Sequence, residues 1–305
     1  MTQNRGKEPL DMHKLGWLGT GRMGAATAQR LVDARNDVMV WNRTKEKTAP
    51  LEASGATAVG EIADLGEADI VFVMVSTPKD LEEVVAGPRG LLCGGSRPNM
   101  IVDCSTVSSE TSARVRRLVV DADVEFLAAP VSGNPHVVAE GGASIVASGP
   151  EATFRAAEPY LAQIARAAVY AGTGEQSRLV KLCHNLYLGM MVQTLVEVTA
   201  LAEKGGTDRA AFLAFLNGTV LGSDWVRKRT KDLVELDWTP TFTTELLRKD
   251  FDLGLAQARS LEVPMPVGSS VHQLIQSAIG IGLRDLDFLS LYVQQARSAG
   301  LELKD

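Results

Sequence analysis

A chain of 305 residues, 45% hydrophobic and 22% charged, has an ordinary soluble composition and the length of one or two domains around a buried core. Its 37 acidic residues outnumber 31 basic ones for a net charge of −6, and no basic run stands out, which argues against a nucleic-acid partner. Three scattered cysteines (Cys93, Cys104, Cys183) form no C-x-x-C pair and read as buried thiols of a reducing compartment, not as a disulfide frame or metal site.

The opening "MTQNRGKEPLDMHK" is polar, lacks an apolar signal core, and is expected to be a disordered tail over residues 1–14. No stretch is expected to reach the roughly 18 apolar residues of a membrane span, so neither a membrane partner nor a location other than cytoplasmic is expected. From Leu15 onward short apolar runs alternate with amphipathic segments. "KLGWLG" is strand-like, and Met23 to Ala34 carries helical spacing. "NDVMVWN" is a second strand, followed by a charged helix candidate from Thr44 to Ala53. "ATAV", "ADIVFVMVS" and "NMIVDCS" continue as strands, with a helix at "SSETSARVRRLVV". Further strand candidates are "VEFLAAPVSG", "ASIVAS" and "AAVYAG". Near-continuous apolar strands separated by helices predict a parallel sheet covered on both faces, and right-handed crossovers make it doubly wound.

The rhythm breaks at "GTGEQ". From Gln176 to about Lys204 there is no proline, and Leu179, Leu182, Leu186, Met190, Val196 and Leu201 recur at helical spacing. A helix of that length spans roughly 40 Å, and its broad apolar surface calls for other helices around it. The remainder also reads as helices, broken at "GGTD", "DWTPTF" and "EVPMP". The chain therefore divides into an α/β Rossmann-type domain over residues 15–174 and an all-α domain over 175–305 built on one long helix.

Gly19, Gly21 and Gly24 fit G-x-G-x-x-G, and they follow a predicted strand and open a helix. In that setting the first glycine permits a tight turn, the second lets backbone approach a pyrophosphate, and the third allows close helix–strand packing. The helix start offers N–H groups and the positive end of its dipole to the phosphates. The turn thus predicts a dinucleotide site spanning Gly19, Thr20, Gly21, Arg22, Met23 and Gly24. At the end of the second strand the chain reads Asn42, Arg43, Thr44, with no acid to accept ribose hydroxyls. An acid would repel a 2′-phosphate and a guanidinium binds one bidentately, so NADP(H) is favoured over NAD(H). The competing reading of Arg43 is a solvated surface arginine.

On the long helix, Lys181 and Asn185 stand four residues apart and share a face. Lysine is rarely buried without a partner or a task, although a lysine near a helix start is often a snorkelling surface group. Both readings fit the residues alone.

"GWLGTGRMG", "VWNRT", "AAPVSGNP", "GTGEQSRLVKLCHN" and "LLRKDFDLGLA" occur in that order over nearly the whole chain. Together they resemble the β-hydroxyacid dehydrogenase family, which includes 3-hydroxyisobutyrate dehydrogenase, tartronate semialdehyde reductase and the glyoxylate/succinic semialdehyde reductases. The resemblance implies hydride transfer between NADP(H) or NAD(H) and a short 3-hydroxy or 2-hydroxy acid, or the corresponding semialdehyde acid. It implies Lys181 as general acid/base with Asn185 beside it. Ser132, Gly133 and Asn134 fall on the loop for the substrate carboxylate, and Thr106 falls beside the nicotinamide. Lys249 and Asp250 match a "KD" pair that closes the site from the helical domain, and Val75 and Ser76 match the adenosine flank. Ser223, Asp224 and Trp225 fall where relatives line the substrate pocket, with a packing role for Trp225 equally open. A lysine enclosed by apolar walls near Lys249 is expected to hold a lowered pKa, suited to proton transfer. A homodimer or homotetramer is implied, and no metal.

Three departures bear on the substrate. Ala128 replaces an acid, Asn134 replaces a second glycine, and His184 replaces the first of two asparagines. His184 reads either as a titrating pocket group or as a hydrogen-bonded core residue. His136 and His272 have no evident partners and are assigned no role. Two alternatives to the dehydrogenase stay open. One is an imine reductase or reductive aminase of the same fold, which typically lacks the helix lysine; the other is a non-catalytic nucleotide-binding member of the family.

Overall fold

The computed structural model describes residues 13–303. The expected tail over 1–14 lies outside the described residues except for His13 and Lys14. Lys14 is tied down: its N–H donates to Asp69 Oδ2 at 2.8 Å and its carbonyl accepts from Asp69 N at 2.8 Å.

Six strands form one parallel sheet: β1 (Leu15–Leu18), β2 (Val38–Trp41), β3 (Thr57–Ala58), β4 (Ile70–Val73), β5 (Met100–Asp103) and β6 (Glu125–Ala128). Their spatial order is β3-β2-β1-β4-β5-β6, with Leu15 paired to Val38 on one side and Ile70 on the other. The order reverses direction between β1 and β4, which opens a crevice at the carboxyl ends of the strands. Alternation along each strand explains why the runs are apolar throughout. Trp17, Val40, Phe72 and Val102 enter one buried layer, while Leu18, Met39, Val71 and Ile101 enter another. Trp17 and Phe72 stack at 5.6 Å.

The crossings are made by α1 (Arg22–Asp33), the short α2 (Ala49–Ala53), α3 (Pro78–Ala86) and α4 (Ser109–Val120). The helix expected from Thr44 is a 3₁₀ turn, Lys45–Thr48, before α2. A second sheet of β7 (Val131–Ser132), β8 (Ser144–Ala147) and β9 (Ala167–Tyr170) follows, with α5 (Pro135–Ala139) and α6 (Glu151–Ile164) between its strands.

The long helix is α7 (Gln176–Lys204). The chain divides into two compact units inside it, after Lys181, later than the glycines that suggested the boundary. Side-chain bonds explain the shift: Ser177 and Arg178, in the first turn of α7, bond to the α/β unit. Among the described residues one helix, α7, is long and apolar enough to reach across a membrane, contrary to the sequence expectation, and half of its most apolar window is buried in protein.

In the second unit the rest of α7 packs with α8 (Arg209–Gly218), α9 (Asp224–Glu235), α10 (Thr244–Ser260), α11 (Pro266–Gly280) and α12 (Leu291–Ser298) around one apolar core. Glycines allow α7 and α10 to approach closely. A Cβ on Gly189 would meet Phe251, and one on Gly254 would meet Leu186.

Candidate functional site

A cavity of about 680 Å³ opens at the carboxyl ends of β1, β2 and β4. Gly19, Gly21, Asn42, Arg43, Thr44, Val75 and Ser76 line it, so residues of three separate segments converge there, whereas Thr20, Arg22, Met23 and Gly24 of the same turn do not line it. The glycines divide their tasks as the motif predicts. Gly19 turns with φ +100°, and a Cβ there would lie 2.2 Å from Met74 O. A Cβ on Gly24 would lie 1.9 Å from Gly19 O, so α1 packs directly on the turn. A Cβ on Gly21 would meet nothing within 4 Å, leaving the space over the helix start open.

Two bonds hold the turn from behind. Trp17 Nε1 donates to Gly19 O at 2.9 Å, and Thr20 N donates to Asn42 Oδ1 at 2.9 Å. Asn42 thereby joins β2 to the turn. Gly21 is the N-cap of α1; no side-chain cap bonds to that end, and its first turn carries no acid. The start of α1 thus keeps backbone donors and a positive dipole end for an anion. Thr20 Oγ1 is also buried without a hydrogen-bond partner among the described residues. These features fit a dinucleotide pyrophosphate. Thr106 is half-buried in the loop after β5 and does not line the cavity.

At the β2 end of the cavity Arg43 is 82% exposed, with Nη1 3.4 Å from Asp80 Oδ1. Lys45, Lys47 and Arg89 line the same cavity, opposed by Glu61, Asp80 and Glu83. Lys45 and Lys47 were readable in "NRTKEK"; Arg89 comes from the distant "AGPRG" loop and carries no local signal.

In the carboxylate loop, Ser132 is half-buried and Gly133 exposed with φ +149°. Asn134 caps α5, its Oδ1 accepting from Val137 N at 2.9 Å. That role gives the departure from glycine a structural cause, and Asn followed by Pro at a helix start was a readable cap signal. Lys181 is buried, at 7% exposure, one turn beyond Arg178. Arg178 is itself buried against Asp103, with Nη2 2.5 Å from Oδ2. Sequence reading passed over both residues.

In the helical unit, Asn185 is buried and donates from Nδ2 to Asp250 Oδ2 at 2.5 Å. Lys249 Nζ lies 3.2 Å from Asp250 Oδ1, so the "KD" pair and Asn185 form one cluster. His184 is not a core residue. It is exposed, with Nδ1 2.9 Å from Asn185 Oδ1, because it sits about 100° around the helix from Asn185, off the buried face. Trp225 packs on Phe288 at 6.0 Å, and Ser223 caps α9 through Val226 N at 3.2 Å.

The cysteines also depart from expectation: Cys104 is buried, whereas Cys93 and Cys183 are exposed. Burial first, and then the Asp103 charge, push the Cys104 thiol far up, with Arg178 opposing. Among the described residues no three His, Cys, Asp or Glu side chains gather as a metal-holding group.

Residues 14–172 match the family described as the NAD binding domain of 6-phosphogluconate dehydrogenase. Residues 172–294 match the one described as NAD-binding of NADP-dependent 3-hydroxyisobutyrate dehydrogenase. The chain is 28% identical over 283 residues to glyoxylate/succinic semialdehyde reductase 2, chloroplastic, of Arabidopsis thaliana, covering 92% of this chain and 79% of that protein. It is 28% identical to the cytokine-like nuclear factor N-PAC of Xenopus tropicalis over 92% of its own length, and spans only about half (52%) of that longer protein. Among solved structures it is similar to a 3-hydroxyisobutyrate dehydrogenase of Mycobacterium tuberculosis, determined with L-serine. That likeness has a TM-score of 0.82 and 25% identity, and covers 93% of this chain and 99% of the other.

Proposed function

The chain belongs to the β-hydroxyacid dehydrogenase family, and from that premise we propose that it is an NADP(H)-dependent oxidoreductase of a short 3-hydroxy or 2-hydroxy acid and its semialdehyde or keto counterpart. The observation that carries this reading is Lys181, a lysine at 7% exposure on the helix that also bears Asn185. Burying a lysine side chain is costly, and this one stands in "GTGEQSRLVKLCHN", where the resemblance places the proton-transferring group.

A nicotinamide dinucleotide bound at the glycine turn supplies or accepts the hydride. The chain's own residues do the rest. Gly19 to Gly24 and the start of α1 hold the pyrophosphate, and Arg43, aided by Thr44, holds the 2′-phosphate as a charge-assisted fork. Val75, Ser76 and Thr106 flank the cofactor. Ser132, Gly133 and Asn134 bind the substrate carboxylate, and Asn185 orients the hydroxyl. Lys181 takes the hydroxyl proton as the neutral amine, or returns it as the ammonium in the reverse direction. Lys249 and Asp250 are assigned to cofactor and substrate; Trp225 is assigned to pocket lining, with its packing on Phe288 favouring a structural share. Exposed apolar side chains such as Phe215, Val220 and Leu221 go with a homodimer or homotetramer.

The test is a panel of short aldehyde acids, glyoxylate and succinic semialdehyde among them, each with NADPH and with NADH. Oxidation of NADPH by at least one, with kcat/KM at least about tenfold above NADH, is expected. Absence of turnover across the panel overturns the reading, and faster turnover of a ketone with an added amine assigns the chain to the imine reductases instead.

A further inference from the structure

Arg178 and Asp103 form an ion pair in which both side chains are fully buried. Removing two charges from water is expensive, and apolar residues of similar size would serve stability as well or better. What the pair provides is geometry. Arg178 Nη2 donates to Asp103 Oδ2 at 2.5 Å, Nη1 to the Ser105 carbonyl at 2.6 Å, and Nε to Ser112 Oγ at 3.0 Å. Asp103 Oδ1 in turn accepts from Ser105 N at 2.9 Å, and Ser105 Oγ accepts from Val75 N at 3.0 Å.

One guanidinium therefore joins the first turn of α7 to the end of β5, the loop that carries Thr106 and the start of α4, and Ser105 extends the bonds to Val75, just past β4. Beside it Ser177 Oγ donates to the Ala128 carbonyl at 3.2 Å, so the first turn of α7 is held on two sides. Lys181 follows Arg178 by three residues, about 4.5 Å along the helix axis and on the neighbouring face.

We infer that Arg178, with Asp103, is a positioning residue that sets Lys181 and the Thr106 loop in register with each other. The inference rests on the proposed role of Lys181. A planar fork with three simultaneous acceptors fixes both translation and rotation of the helix start, which a lysine or an apolar pair cannot do.

The test compares wild type, Arg178→Lys, and the charge-free double variant Arg178→Met with Asp103→Leu. The double variant keeps packing and leaves no buried charge unpaired, so it is expected to fold with a transition close to wild type. kcat on the best aldehyde acid falls at least about tenfold, by more than any rise in the NADPH dissociation constant read by fluorescence. Reductive methylation of Lys181 by formaldehyde and cyanoborohydride, followed by mass spectrometry against pH, needs no turnover. Its midpoint moves by about half a unit or more in the double variant, a change that lost stability alone would not produce. A folded double variant with wild-type kcat and an unmoved midpoint overturns the inference. If the double variant does not fold, Arg178→Lys decides on the same two readouts, with wild-type values overturning it. Loss of all turnover in wild type, or retained turnover in Lys181→Ala, contradicts the proposed function separately, and the labelling profile still decides the role of Arg178.

Discussion

The starts of α1 and α7 solve opposite problems with opposite materials. At α1 side chains are removed: Gly21 leaves open space over the helix end, and no acid or side-chain cap occupies its donors. At α7 side chains are added: Arg178 fills the interior with a charge bonded to three partners, and Ser177 is tied to the strands beneath. A site for an exchangeable anion has to be vacant and preformed, whereas a residue that moves a proton has to be immobile. Helix starts thus become functional either by subtraction or by anchoring, and the two can be broken separately.

The largest effect is expected where the α1 turn is both packed and functional. Gly24→Ala would place a Cβ 1.9 Å from Gly19 O, so stability falls by about 2–3 kcal/mol in denaturant titration and NADPH binding is lost with it. Gly21→Ala separates the two effects. Its Cβ meets no protein atom within 4 Å, so stability changes by less than about 1 kcal/mol while the NADPH dissociation constant rises about 100-fold. Equal loss of stability in both variants would erase the distinction between packing and vacancy. Arg43→Ala tests the cofactor end of the same cavity, with NADPH binding weakened about 10- to 100-fold and NADH binding unchanged. An equal loss for both cofactors would reduce Arg43 to a surface arginine.

The smallest effect belongs to charges that are paired but not buried. Glu245 on α10 accepts from Arg248 at 2.6 Å and also pairs with Arg284. The Arg248 guanidinium, ahead of Arg284, holds its carboxyl below the usual range, against a smaller opposing effect of burial. A lowered folded pKa gives stability that is complete above the unfolded value and fades as the pH falls through the folded one. Glu245→Gln is therefore expected to lower stability at pH 7 by less than about 1 kcal/mol, with the difference from wild type closing in acid. A loss as large as that of Gly24→Ala would show that exposure does not discount a charge here.

The glycine turn was legible because its chemistry is local: three glycines after an apolar strand specify the turn, the open approach and the packing contact within six residues. The extent of α7 was legible for the same reason, since 29 residues without proline keep helical spacing. The anchor under Lys181 was not. Arg178 finds Asp103 across 75 residues, and no periodicity marks which arginine will be buried. His184 is exposed, against the core alternative though not the pocket one, because one residue along a helix is about 100° around it, enough to carry a side chain from the core to the solvent. Asn134 and Ser223 each stand just before a helix start, so their capping bonds to Val137 N and Val226 N were readable beside the pocket role that the resemblance implies.

Whether Lys181 carries the proton while the glycine turn carries the cofactor is decided by Lys181→Ala, measured for both functions. A kcat reduced by about 10²- to 10⁴-fold, with NADPH affinity held at the wild-type value, is expected. Turnover within a few-fold of wild type would contradict it.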